Sequence, residues 1–523
     1  MLLYDCIRST GIISCRKLGF HLNRSKSSIA REQQRIAKRS HVFGSKFFET
    51  EEGKQWLKNM ILAAIMIFSE QCGVGPERIS MFLKAIGVGC FLGSSSGSIY
   101  KLQKSVQNII LKYRQIREDE LMEIAGDIDI VPGGDETFFA NLLLLVSMDL
   151  KSSFIMTEDV GEDRKHKTWE KCTSKLLGRF RSILCFVSDR AQSLKKLSEK
   201  TYNAVSIPDL AHMIRGVSSV MKFAFSRIER SLDAQIAKLK KLKLTAKRKK
   251  ELTILKTRKE KLKQDHQIYR SSTLQFSLLL HPYNISDLSK NISASVESEL
   301  NANINNIIEI RDKWKISDPR KSLEKTQKQI PLCVKQIDLW FNYVTNSLDG
   351  SIYSAEEKEW GLNFVLPLVY WKLQRKKSKS KEIQKQANKA YKVALQQYNQ
   401  QSLTHTLEDQ EKDIWFDWGK SMASMFQRTS SAIEGRNGWL SQMHFAGRGL
   451  TADRVKVQTT IHNYLLTRDD GTTAYERLTG EKPPDLFQYI LDNMPDFPEP
   501  KIAKNERPRK GSADIVECQA AFL

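Results

Sequence analysis

The sequence predicts an α/β fold in which a mixed sheet with flanking helices is interrupted by a large all-α insertion and preceded by an N-terminal helical region. Three observations carry this. Residues 127–158 read as three short strands joined by tight turns: Asp127-Ile-Asp-Ile-Val-Pro-Gly-Gly-Asp135-Glu136-Thr-Phe-Phe-Ala140, then Asn141 to Leu150, then Ser153 to Glu158. The run Ser182-Ile-Leu-Cys-Phe-Val-Ser188 is continuous and apolar, as a strand buried on both faces should be. Between residues 211 and 428 the apolar residues step almost wholly by threes and fours. At 523 residues the chain exceeds what one hydrophobic core usually serves, so several domains are expected.

Residues 1–120 read as a helical region. Thr10 to Leu18 forms one expected helix, Gly19 to Arg24 a break, and Ser25 to Arg39 a capped second helix, a helix-turn-helix pattern. On that second helix Arg31, Arg35 and Arg39 share a face at i, i+4 spacing, so they can track phosphates while Ser27 and Ser28 meet base edges. Gly75 to Val88 with Gly93 to Leu102 is a second such pattern. Residues 121–210 hold the three-strand meander, a helix around Thr168 to Leu177, and the strand ending at Ser188-Asp189. An aspartate at the C-terminal tip of a strand sits at the functional edge of an open α/β sheet.

Residues 211–428 form the insertion. Ile228, Leu232, Ile236, Leu239 and Leu242, then Leu252, Leu255 and Leu262, mark a Lys-rich coiled-coil hairpin over residues 226–270. Its lysines, from Lys238 through Lys263, form either a solvated face or a nonspecific clamp on a polyanion. Trp314, Trp340, Trp360, Trp371, Trp415 and Trp418 punctuate a further helical bundle, with the basic stretch Arg375 to Lys392 on its surface. Residues 429–493 return to the sheet domain, and residues 494–523, with Pro495, Pro498, Pro500 and Pro508 among charges, read as a disordered tail.

Charge narrows the partners. Lys and Arg number 83 against 60 Asp and Glu, a net charge of +23, which favours a polyanion and above all nucleic acid. The eight cysteines form no Cys-x-x-Cys pair, so neither a zinc site nor a disulfide framework is expected. Met60 to Phe68 is much shorter than the roughly 20 apolar residues of a membrane span. Arg8 and Arg16 interrupt any signal-peptide core, which predicts a cytoplasmic protein without a membrane partner.

The stretch Ser430 to Leu450 reads as a helix with a polar stripe. At 100° per residue Asn437, Ser441, His444 and Arg448 all return to the side of Glu434. A solvated helix face gives that pattern, and so does the wall of a polar cleft that handles a metal or phosphates. Asp135 on the first strand and Asp189 at a strand tip add two carboxylates; Glu136 is left out because alternation turns it away from Asp135. His212, on the helix that follows, ranks below these three.

In order and context, Asp135, Asp189 and Glu434 make the chain resemble the DDE transposases of bacterial insertion sequences, whose catalytic domain has an RNase H-like fold. Gly134-Asp-Glu-Thr-Phe-Phe139 resembles the first-aspartate strand and Val187-Ser-Asp-Arg-Ala191 the second. Ser431-Ala-Ile-Glu-Gly-Arg-Asn-Gly438, with His444 and Arg448, resembles the glutamate helix. Ile461-His-Asn-Tyr464 and Arg468 to Leu478 resemble the tail that follows it. The long interval between Asp189 and Glu434 departs from the usual spacing and fits the subset with helical insertions.

The resemblance implies a nucleoid-associated transposase that binds the ends of an insertion sequence and a target duplex as a homo-oligomer. Asp135, Asp189 and Glu434 would hold two Mg²⁺ ions, with Mn²⁺ as a substitute, for phosphodiester cleavage and strand transfer. His444 and Arg448 would contact DNA near the scissile phosphate, and Arg31 and Arg35 the element ends. Two other readings stay open: a metal-dependent DNA nuclease or resolvase on the same fold, and a catalytically inactive, transposase-derived DNA-binding protein.

Overall fold

The computed structural model describes residues 3–497 apart from 13, 43, 141, 244, 379, 447 and 448. The polar-stripe residue Arg448 and most of the expected tail, from residue 498 on, lie outside the described residues. The chain divides into two compact units. The first comprises Met1–Arg117, Gln442–Ile461 and Pro484–Leu523, and the second Glu118–Ser441 and His462–Pro483.

The first unit is helical. Helices Leu3–Thr10, Cys15–His21 and Lys26–Arg39 pack around Leu3, Cys6, Leu18 and Ile29. The helix expected over Thr10 to Leu18 is broken: Gly11, at φ +66°, ends one helix, and a second starts at Cys15. Ser25 caps the third by accepting from the Ser28 amide at 3.2 Å. Helix Pro76–Ala85 starts on its proline, and most of helix Ser96–Ile124 lies in this unit.

The second unit is built on a mixed five-stranded sheet: β1 Pro132–Phe139, β2 Leu142–Asp149, β3 Ile155–Val160, β4 Phe186–Ser188 and β5 Ser206–Pro208. The spatial order is β3-β2-β1-β4-β5. β1 to β3 form an antiparallel meander, and β4 and β5 run parallel to β1. Gly134 pairs with Ser188 across β1 and β4, and a Cβ at Gly134 would come within 2.8 Å of the Phe186 ring. Glycine therefore lets the neighbouring strand close against the residue before Asp135.

The apolar run Ser182 to Ser188 is not one strand. Ser182–Ile183 pairs with Asp129–Ile130 in a separate two-stranded sheet, and β4 starts at Phe186. The Leu184 amide donates to the Ile130 carbonyl while that of Phe186 donates to Val205, so the segment changes partner midway. The expected helix over Thr168 to Leu177 is shorter, His166–Thr173, followed by a 3₁₀ turn.

After β5 the chain is helical. Helices Leu210–Lys240 and Ala246–Leu279 form a hairpin with Leu232, Ile236, Leu255 and Leu262 buried along its seam. Lys240, Lys241, Lys249 and Lys250 are exposed near its tip. Helices Ser293–Lys313, Ser322–Asn346, Leu366–Lys377, Lys381–Asn399 and Asp409–Met425 complete the bundle. Trp340, Trp360, Trp371 and Trp415 are buried in it, and Trp340 donates to the Met422 carbonyl at 2.8 Å. The chain then enters the glutamate helix, Ser431–Ala446. Among the described residues no helix is long and apolar enough to cross a membrane.

Candidate active site

Asp135 sits on the central strand β1, Asp189 just past the tip of parallel strand β4, and Glu434 in the first turn of the glutamate helix. All three belong to the second unit. Burial pushes the Asp135 carboxyl up to about 6; the bond from the Glu136 amide (2.9 Å) and the charge of His212 oppose this, and the carboxylates of Asp189 and Glu434 add to it. Two acids far from Asp135 in sequence therefore lie close enough for their charges to reach its carboxyl. Asp189 is exposed and accepts from the Ala191 amide at 2.8 Å, with Arg190 between them at φ +62°. That left-handed residue anchors the turn by donating to the Ser206 carbonyl at 2.6 Å.

Glu434 faces the first turns of helix Leu210–Lys240. Its Oε1 accepts from Arg215 at 2.6 Å and lies 3.2 Å from His212 Nε2. One turn along the glutamate helix, Asn437 Nδ2 donates to Asp135 Oδ2 at 3.1 Å. Glu434 and Asn437 thus lie on one side of that helix, as the polar stripe predicted. Glu136 points to the opposite side of the sheet, where Trp169 Nε1 (3.0 Å) and Ser193 Oγ (3.1 Å) donate to it.

Two buried contacts fix this helix against the sheet. Asp209 caps helix Leu210–Lys240 through the Ala211 amide at 2.6 Å, and its other oxygen accepts from the backbone amide and hydroxyl of Ser430. Arg436 forms a two-point ion pair with Glu158 of β3 at 2.9 and 2.7 Å, the pair being 3 % and 0 % exposed. The segment after the helix braces the β2–β3 corner. Asn463 bonds both the amide and the carbonyl of Ile155 at 2.9 Å, and His462 lies 2.9 Å from the Ser153 carbonyl. Burial and the charge of Arg436 hold the His462 ring down at about 4.

The other sequence-derived residues lie elsewhere. His444 falls in the first unit, half-buried against the Phe445 ring. Arg31 is exposed on helix Lys26–Arg39 and Arg35 is half-buried there. Arg39 is tied to Glu49 by a two-point ion pair, which takes it out of the expected phosphate-tracking row. Sequence reasoning missed Arg215 and Asp209. Arg215 had one legible signal, its position three residues beyond His212 on the same helical face.

Three carboxylates suit a hard divalent cation in donor chemistry, and the upward push on Asp135 is the strain such a cation relieves. The set is nevertheless open. Among the described residues no group of three His, Cys, Asp or Glu side chains is arranged to hold a metal ion. Arg215 and His212 both meet Glu434 Oε1, so a cation would compete with them for that oxygen.

Residues 362–506 match a family model described as Family of unknown function (DUF6399). The matched stretch contains Glu434, Arg436, Asn437 and the Ile461–Tyr464 segment but neither aspartate. The chain has no match among curated proteins.

Proposed function

We propose that this chain is a DDE-type DNA transposase with an RNase H-like catalytic domain. It would bind the ends of an insertion sequence and cleave and join DNA strands. The observation that carries the reading is the placement of Asp135, Asp189 and Glu434 on three separate elements of one mixed sheet domain, with Asn437 of the Glu434 helix donating to Asp135 Oδ2 at 3.1 Å. The net charge of +23 supports a DNA partner, both element ends and target. Arg31 and Arg35 would meet the element ends, His444 and Arg448 the DNA near the cut, and a homo-oligomer would assemble on the DNA in the nucleoid.

Asp135, Asp189 and Glu434 would hold two Mg²⁺ ions, or Mn²⁺ in their place. When bound, such ions activate a water or 3′-hydroxyl and stabilise the leaving oxygen. Asn437 orients the Asp135 carboxylate by donating to one of its oxygens. Arg215, 57 % exposed, neutralises Glu434 in the DNA-free state and is placed to transfer its fork to a phosphate oxygen when DNA arrives. His212 holds the same Glu434 oxygen and limits where the carboxylate can swing.

The test is a strand-transfer assay with a plasmid carrying the gene and its flanking DNA, in Mg²⁺ or Mn²⁺. Transposition predicts joined products with ends at fixed flanking positions, lost in Asp135→Ala. Cleavage without joining would replace this reading with that of a nuclease or resolvase, and neither activity would leave a DNA-binding protein.

A further inference from the structure

In the first unit, helices Leu3–Thr10, Cys15–His21 and Lys26–Arg39 close on one small core, and the link between the second and third runs only from Leu22 to Ser25. The shape of that link is fixed. The Arg24 amide donates to the Gly19 carbonyl at 2.8 Å, Asn23 takes a left-handed φ of +50°, and Leu22 packs on the core. A Cβ at Gly19 would come within 2.6 Å of the Arg24 carbonyl oxygen, so only glycine lets the turn fold back this closely on the second helix.

Helix Lys26–Arg39 has a divided surface. Ile29 is buried, Ile36 packs on the core, and Cys15 Sγ donates to Gln33 Oε1 at 2.8 Å, so these three face the other helices. At 100° per residue, Ser27, Arg31 and Gln34 fall within about 60° of one another on the opposite side, and all three are exposed. Arg31 Nε donates to the Ser27 carbonyl at 3.2 Å, which lays its side chain along this row. Arg35 is half-buried at the margin of the row. Charge follows the same division. Within residues 15–39 the one carboxylate is Glu32, which is buried and held by Arg24 at 2.5 Å, while Arg16, Lys17, Lys26 and Arg31 are exposed.

We propose that helix Lys26–Arg39 reads base edges in the major groove of duplex DNA through Ser27, Arg31 and Gln34, with Arg16 and Lys17 of the preceding helix on flanking phosphates. Two helices joined by a short fixed turn, the outer side of the second free of core packing and of acid, have the form in which a helix enters the groove. The side chains match what base edges offer. Arginine pairs with O6 and N7 of guanine, glutamine with N6 and N7 of adenine, and serine with either kind of edge. Arg31 and Gln34 lie about 4.5 Å apart along the helix axis, close to one base step of about 3.4 Å. The recognised site should therefore hold a guanine and an adenine at neighbouring or next-but-one pairs. The inference rests on the proposed function only in taking DNA as the partner; it needs neither a metal nor strand cleavage.

The experiment is selection of bound duplexes from a random pool by the full chain without divalent cation, followed by titration of the selected duplex. The expected result is an enriched site containing that guanine and adenine. Gln34→Ala should lose the preference for the adenine and Arg31→Ala that for the guanine, each by roughly 5- to 150-fold, with the other positions read as before. Arg16→Ala with Lys17→Ala should instead weaken all duplexes alike and lower the logarithmic salt slope by about 0.9 per lost contact. Lys420→Ala, on helix Asp409–Met425, should change neither. The substituted side chains are all exposed, and circular dichroism checks that the fold is kept. An enriched site absent from the DNA flanking the gene would uphold this inference while removing element-end binding from the proposed function. No enriched site, or one read unchanged by both the Arg31 and the Gln34 variant, overturns the inference.

Discussion

Asp209 and Ser430 are joined by two hydrogen bonds, with the Ser430 amide donating to Asp209 Oδ2 at 2.8 Å and the Ser430 hydroxyl to the same oxygen. Asp209 is 1 % exposed and its other oxygen caps the helix that bears His212 and Arg215. One carboxylate therefore sets the starts of two helices, and those helices carry Glu434 and its partners His212 and Arg215.

Asp209→Ala should lower stability by about 2–4 kcal/mol, the sum expected for a lost cap and charge-assisted bonds left unmade. Asp209 is a positioning residue, so a further effect is expected well below the variant's melting temperature. There kcat for strand cleavage should fall while KM for DNA holds. Equal kcat in the two proteins at that temperature would reduce Asp209 to a structural cap.

Asp135 should make the folded protein less stable at neutral pH. Its folded-state carboxyl lies near 6 against 3.8 as an isolated side chain, so the folded state holds the proton more tightly. Stability then falls as pH rises from about 4 to about 6 and stays lower above that. Asp135→Asn should gain roughly 3 kcal/mol over the wild type at pH 7.5 and almost nothing at pH 4, since each pH unit is about 1.4 kcal/mol. Denaturant unfolding at the two pH values measures this, and an equal difference at both would show that burial of the charge is not the cause. Mg²⁺ should raise the wild-type melting temperature at pH 7.5 and lose its effect below pH 6, where the proton competes.

The Arg436–Glu158 pair predicts a different signature. Arg436→Met strands a carboxylate that is 0 % exposed and should cost about 3–5 kcal/mol. Adding Glu158→Gln should recover much of that loss. A cost below about 1 kcal/mol for Arg436→Met in chemical denaturation would mean that the helix is held to β3 by other contacts.

The lysines near the hairpin tip predict a salt effect. Reversing Lys240, Lys241, Lys249 and Lys250 to Glu should weaken nonspecific DNA binding and flatten its salt dependence, each lost phosphate contact removing about 0.9 from the logarithmic slope. An unchanged slope with loss of a dimer in sedimentation would make the hairpin an assembly element instead.

The β1–β3 meander was legible because alternation and tight turns mark strands locally, and the Leu232/Ile236 and Leu255/Leu262 seam because helical spacing does. The break between Ile183 and Phe186 was not, because it depends on a change of partner from Ile130 to Val205 that no local pattern encodes. The same division holds at the site. Glu434 and Asn437 emerge from helix geometry, but Arg215 and Asp209 acquire meaning only when Glu434 and Ser430 arrive from far along the chain. The segment Ile461 to Tyr464 stood out by resemblance alone. Its role is tertiary, with the Asn463 amide pairing the Ile155 backbone as another strand would.

Glu434 is the member of the carboxylate set farthest along the chain, and so cleavage by Glu434→Ala tests the shared site most directly. With labelled DNA carrying the element ends and saturating Mg²⁺, the variant should bind DNA as the wild type does and yield no cleaved strand above the background of Asp135→Ala. Substantial cleavage by Glu434→Ala would remove it from the site and contradict the three-carboxylate account.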